Sequence, residues 1–178
     1  ISDYFDISDG LTQMTIAVNF FGFCLSSVVY GPLSDSYGRR NVMLIGNAIM
    51  LIGAIFCVVA DSIELLLIAR FIQGFGASTS AVVVFAMIAD VYETEKAAKL
   101  IGVMNSLITV FMSIAPIAGG FINNLVGFRG NYFVIALVSL ISWVMLYFQL
   151  PETKKEKKPL EIRTIAKNFY ILATDKRF

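Results

Sequence analysis

Residues Val42–Ala60 read VMLIGNAIMLIGAIFCVVA, nineteen residues without a single charge. A helix needs about 20 predominantly apolar residues to cross the hydrocarbon core of a bilayer, so this run has the length and composition of a membrane span. Working outward from it, four more stretches qualify: Leu11–Leu33, Leu65–Ala89, Leu100–Ile122 and Tyr132–Leu150. Short polar punctuation separates the five, at Ser34–Asn41, Asp61–Glu64, Asp90–Lys99 and Asn123–Asn131. Connections this short make consecutive helices antiparallel neighbours.

Composition agrees. The chain is 57% hydrophobic and 15% charged, with a mean hydropathy of +0.76, whereas soluble domains carry about 25% charged residues. The expected fold class is therefore an all-α polytopic membrane bundle with five visible spans. A net charge of +1 gives no reason to expect a nucleic-acid partner; the lipid bilayer is the partner that composition demands. There is no His, which removes His metal sites, Ser-His-Asp triads and HExxH helices. No metal or other cofactor is expected. Cys24 and Cys57 lie inside apolar runs and read as free thiols.

The distribution of charge sets an orientation. Arg39 and Arg40 lie in the first connection, Lys96 and Lys99 in the third, and Lys154, Lys155, Lys157, Lys158, Arg163, Lys167, Lys176 and Arg177 follow the last span. These twelve of fourteen basic residues share one side in an antiparallel arrangement. The other side has Arg129, and Arg70 lies within a span. The positive-inside rule makes the twelve-residue side cytoplasmic and places residues 1–10 in an external loop. Residues 11–150 then form the transmembrane bundle. Residues 151–178 form a cytoplasmic basic linker, in which Leu160, Ile162, Ile165, Ala166, Phe169, Leu172 and Ala173 trace one face of an amphipathic surface helix.

Three motifs carry chemistry. The first connection reads Gly31-Pro32-Leu33-Ser34-Asp35-Ser36-Tyr37-Gly38-Arg39-Arg40. Its glycines and proline suit a tight reversal, and Asp35 at the membrane edge can meet Arg39 or a helix N-terminus. Within the third run, Arg70 is followed by Gln73, Gly74, Gly76 and Ala77. An Arg at mid-span costs about 2.5–3.5 kcal/mol on insertion scales, so it is expected to face a partner or water. Gln73 and Ala77 share its face, and Gly74, Gly76 and Ala77 permit close helix approach. No Asp or Glu lies within a span to pair with it. The fourth run carries Gly102, Asn105, Thr109 and Ser113, then Ala115-Pro116-Ile117-Ala118-Gly119-Gly120. Its proline frees a backbone carbonyl and bends the helix.

These residues resemble motifs of the major facilitator superfamily. Gly31, Leu33, Asp35, Gly38, Arg39 and Arg40 match its motif A, G-x-L-x-D-R-x-G-R-[RK], with Ser36 departing from the usual base. Arg70, Gln73, Gly74, Gly76 and Ala77 match motif B, R-x-x-Q-G-x-G-A. Gly102, Pro116 and Gly120 match motif C of the antiporter branch, G-x8-G-x3-G-P-x3-G, from which Phe111 and Ala115 depart. The Pro151-Glu152-Thr153 run after the last span is also familiar there. The chain is most similar to the Bcr/CflA-type drug-resistance transporters of the drug:proton antiporter family.

The resemblance implies a multi-pass protein of the bacterial cytoplasmic membrane that exports small molecules in exchange for protons and is not an enzyme. It implies that Gly31, Asp35, Gly38, Arg39 and Arg40 form a conformational latch. Arg70 and Gln73 would serve proton coupling, and Gly102, Pro116, Gly119 and Gly120 would form the antiporter motif. Asn19, Arg70, Gln73, Asn105 and Thr109 are the candidate cavity residues, although for all but Arg70 a helix–helix hydrogen bond explains the residue as well. In such a transporter the chain normally starts inside. The external start here implies one preceding span, making the visible spans two to six, and a second half that completes the cavity, with a proton-carrying acid in the preceding span. A metabolite symporter or uniporter of the same superfamily is the alternative. A receptor or scaffold needs neither Arg70 nor the latch, and an intramembrane enzyme lacks its residues.

Overall fold

The computed structural model describes residues 1–154, and all of its described elements are helices. A short α1, Ser2–Phe5, precedes five long ones: α2, Asp9–Tyr37; α3, Arg39–Val59; α4, Ile63–Val91; α5, Thr94–Val126; and α6, Phe128–Gln149. All five long helices have the length and composition to cross a membrane. The amphipathic helix expected from Leu160 onward lies outside the described residues.

The apolar runs are helical where expected, but the helices outrun them. The stretch expected as a loop over residues 1–10 holds α1 and the first two residues of α2. Ser8 caps α2 by accepting from the Leu11 amide at 3.4 Å, and Ser62 caps α4 by accepting from the Leu65 amide at 3.2 Å. Each gives an oxygen to an amide that the helix itself leaves unbonded. The expected reversal at Gly31 to Arg40 also shrinks. Gly31 and Pro32 lie inside α2, and only Gly38, at φ +99°, breaks the helix. A positive φ is strained for residues with a Cβ, so one glycine suffices to end α2 and start α3. Gly127, at φ +75°, does the same between α5 and α6.

The third run, α4, is the centre of the bundle. It packs along α2 on one side and α3 on the other; α6 leans on α3, and α5 makes few contacts. Small residues make this possible. A Cβ on Gly76 would come within 2.6 Å of the Gly46 carbonyl of α3, and one on Gly74 would overlap the Asn19 backbone of α2. Such small contacts let the backbones close together where lipid offers no hydrophobic drive to association. Polar pairs cross the same interfaces: the Ser26 and Ser78 hydroxyls are 2.6 Å apart, and Asn47 donates to Ser80 at 3.2 Å. Trp143 ties α6 to α3 by donating to the Leu44 carbonyl at 3.0 Å.

Candidate functional site

Because consecutive helices alternate in direction, the C-terminal ends of α2, α4 and α6 gather at one end of the bundle, with the first residue of α3. Each of those C-terminal ends brings an acid. Asp35 ends α2, Asp90 ends α4, and Glu152 follows α6. Arg39 opens α3 in their midst, with a side chain only 6% exposed. Its guanidinium holds Asp35 at 2.7 Å and Asp90 at 2.9 Å, and also donates to the Ser34 hydroxyl. Its backbone amide donates to Glu152 at 2.9 Å. Lys154 lies 3.1 Å from Asp35 and 4.0 Å from Asp90. Two basic side chains thus bind Asp35 and Asp90, Glu152 joins them by accepting from the Arg39 backbone amide, and the planar guanidinium spans two carboxylates in a way an ammonium cannot.

Gly38 is needed here for space as well as turning, since a Cβ would strike the Glu152 carboxylate. Arg40 turns away from the network and donates to the Tyr147 carbonyl of α6 at 2.7 Å, with its guanidinium 5.8 Å from that ring's centroid. Gly31 has open space where a Cβ would go, so no packing requirement explains it.

Sequence reasoning found Asp35, Gly38, Arg39 and Arg40 but not Asp90, Glu152 and Lys154 as their partners. A signal was present. Counting alternating spans puts the ends of α2, α4 and α6 together, and each end carries one acid.

The second group lies within α4. Arg70 is half-buried, and its contacts come from backbone, amide and ring. Nε donates to the Thr15 carbonyl of α2 at 3.2 Å, and Nη1 donates to Gln73 Oε1 at 2.7 Å. The guanidinium carbon is 5.7 Å from the centroid of the Tyr132 ring of α6. No carboxylate forms an ion pair with Arg70 among the described residues. Asn19 reaches the same turn, donating to the Arg70 carbonyl at 2.8 Å, and is the helix–helix bond that the alternative reading of that residue anticipated. The structure therefore brings Asn19, Arg70 and Gln73 together.

It does not bring Asn105 and Thr109 into that group. Both are exposed on α5, where Thr109 donates to the Asn105 carbonyl of its own helix at 2.9 Å. The motif glycines of α5 likewise meet little that is described. Gly102 and Gly120 have no neighbour within 4 Å of a would-be Cβ, and Gly119 has only Asn131 Oδ1, at 3.7 Å. Pro116 stays within a continuous α5. These glycines thus meet no neighbouring backbone among the described residues, because α5 stands at the edge of this bundle.

At the opposite end from the Arg39 network, Arg129 pairs with Asp61 at 2.7 Å and donates to the Ala60 carbonyl at 3.0 Å. The ring of Tyr4 lies 5.0 Å from its guanidinium carbon. These contacts join α1, the α3–α4 connection and the start of α6.

With this geometry in hand, the comparisons with known proteins are specific. The family model of the Major Facilitator Superfamily matches residues 1–177. A bicyclomycin resistance protein homolog of Haemophilus influenzae is 31% identical over 94% of this chain and 42% of its own length. The multidrug resistance protein MdtL of Shigella flexneri is 27% identical over 84% of this chain and 39% of its own. The chain thus spans about two fifths of the length of these relatives. Among solved structures, the human organic anion transporter MFSD10 superposes with a TM-score of 0.72 at 20% identity, over 86% of this chain and 36% of that one. At that identity the likeness is one of fold.

Proposed function

The chain belongs to the Major Facilitator Superfamily, and from that premise we propose that it is part of a proton-coupled exporter of drugs or other small molecules. The exporter works by alternating access in a bacterial cytoplasmic membrane. The described helices then belong to the first half of that exporter. The end with Arg39 faces the cytoplasm, and the end with Arg129 faces outward. Two relatives with resistance in their names support the choice of cargo.

The observation that carries the coupling mechanism is Arg70. A guanidinium inside a span is costly, yet its partners here are a carbonyl, an amide and a ring. A carboxylate placed beside it by another part of the protein has its pKa lowered, and loses that help when cargo or conformation moves it away. Proton loading and release follow from that alternation. Gln73 holds the guanidinium in orientation. The Arg39 network supports a latch: it fixes the ends of α2, α4 and α6 as one block, which can then engage or release a second half as a unit.

The test uses full-length protein in everted vesicles. Arg70→Ala should abolish drug accumulation driven by a proton gradient, and Arg70→Lys should retain part of it if the role is charge alone. Wild-type accumulation rates in Arg70→Ala that still collapse with a protonophore would refute the role.

The second reading, a symporter or uniporter, is favoured by Phe111 and Ala115, which replace two glycines of the antiporter motif. It predicts that cargo and protons move in the same direction, or that cargo moves without protons.

A further inference from the structure

The first turn of α3 carries two arginines, and only Arg39 joins the acidic cluster. Arg40 is directed at α6 instead. Its Nη2 donates to the Tyr147 carbonyl at 2.7 Å, and its guanidinium carbon lies 5.8 Å from the centroid of that ring. The ring is itself held, stacked on Trp143 with centroids 5.5 Å apart, and Trp143 is tied to α3 by donating to the Leu44 carbonyl at 3.0 Å. The guanidinium is therefore oriented by two helices. Its Nε and Nη1 make no hydrogen bond, and no carboxylate forms an ion pair with it, among the described residues. Leu44 stands one helical turn along α3 from Arg40, on the same face. It is also one wall of an apolar groove of about 560 Å³. Leu33 and Tyr37 of α2 form the other side of that groove, and Asn41 and Ile45 complete it on α3. Tyr37 and Asn41 are at the end of the spans, and Leu33, Leu44 and Ile45 lie one turn deeper.

A polar edge with an oriented guanidinium thus adjoins an apolar slot. A guanidinium presents a planar fork of donors that matches phosphate oxygens. Interfacial Tyr and Trp sit at headgroup depth, and basic pockets between spans at the membrane surface suit anionic lipid headgroups. Charge complementarity selects the occupant. A zwitterionic lipid carries its own cation beside the phosphate, whereas an anionic one leaves the phosphate charge for Arg40. We propose that the α2–α3 groove holds an acyl chain of an anionic glycerophospholipid, with its phosphate on Nε and Nη1 of Arg40. The site needs the helices to cross a membrane and does not depend on what the protein carries.

The experiment is native mass spectrometry of the full-length protein in detergent, offered equimolar phosphatidylglycerol and phosphatidylcholine with the same acyl chains. The wild type should retain phosphatidylglycerol in preference. Arg40→Gln should weaken its retention about tenfold, as expected for loss of hydrogen bonds to a charged group. Lys96, 4.9 Å from the Tyr92 ring centroid, lies at the same end of the bundle, and Lys96→Gln should leave retention unchanged. Ile45→Trp fills the groove from its exposed side, keeps Arg40 in place, and should weaken retention as well; it decides the matter if Arg40→Gln does not fold. Equal retention of the two lipids by the wild type would overturn the proposal. So would equal losses in Lys96→Gln and Arg40→Gln, which would mean diffuse surface charge, or full retention in Ile45→Trp. Displacement by glycerol 3-phosphate as readily as by unlabelled phosphatidylglycerol would overturn it too, by assigning Arg40 to a soluble phosphate.

Discussion

Arg39 and Arg70 are both arginines in or beside spans, and their surroundings set them to different tasks. Arg39 is nearly buried between two carboxylates; Arg70 is held by neutral groups. Removing Arg39 leaves Asp35 and Asp90 near one another with Lys154 as their remaining counter-charge. A double-mutant cycle of Arg39→Ala with Asp90→Asn, read by thermal unfolding in detergent, should give a coupling of about 0.5–3 kcal/mol, the range for residues in one ion-pair network. A coupling of zero would mean that the pair is a surface ornament. Asp35 is 38% exposed, so its pair is worth less to stability than a buried one. Asp35→Asn should accordingly leave expression and insertion largely intact while impairing export, and normal export by that variant would reduce the turn to a plain hairpin.

Among the helices, α4 and α5 divide the labour of fold and function. Gly76 sits where α3 and α4 touch backbone to backbone. Gly76→Leu adds volume there and should lower the melting temperature or prevent insertion, since overpacking costs about 1–3 kcal/mol or more. Gly120 opens onto nothing described, so Gly120→Leu should leave the stability of these helices unchanged yet damage export if α5 meets the second half there. Melting curves and efflux assays on the same two variants separate the roles. Equal loss of stability in both would show that α5 is packed within this bundle after all.

The extent to which such elements were legible follows from physics. Runs such as Val42–Ala60 announce themselves because lipid tolerates few charges. Helix ends did not, because polar residues beyond the lipid continue the hydrogen-bond ladder until a glycine such as Gly38 or Gly127 stops it. Asp35 and Arg39 were readable at four residues' spacing. Asp90 and Glu152 were not paired with Arg39, since they lie 51 and 113 residues from it in sequence. Asn105 and Thr109 were readable as polar residues of a span, but no short-range signal tells which face of α5 the described helices cover, and both are exposed there.

For the whole molecule, the orientation of the bundle sets the direction of coupling. The proposed topology puts the Arg39 network inside. In a background carrying Cys24→Ser and Cys57→Ser, a cysteine at Ser36 should react with an impermeant thiol reagent only after the cells are opened, and one at Asp61 should react in sealed cells. Labelling at Ser36 from outside would invert the topology, and with it the side from which the carboxylate beside Arg70 is loaded with protons. Replacing the exposed Cys24 matters, because its own labelling would blur the result.

Under the proposed mechanism protons drive export, and a gradient imposed by hand tests this. Full-length protein is reconstituted in liposomes loaded at acidic pH and diluted into alkaline buffer with a fluorescent drug outside. Antiport predicts drug accumulation inside the liposomes, together with proton efflux above the leak, both abolished by a protonophore and both absent in Arg70→Ala. Drug entry at the same rate with and without the pH step, and no drug-dependent proton movement, would contradict it.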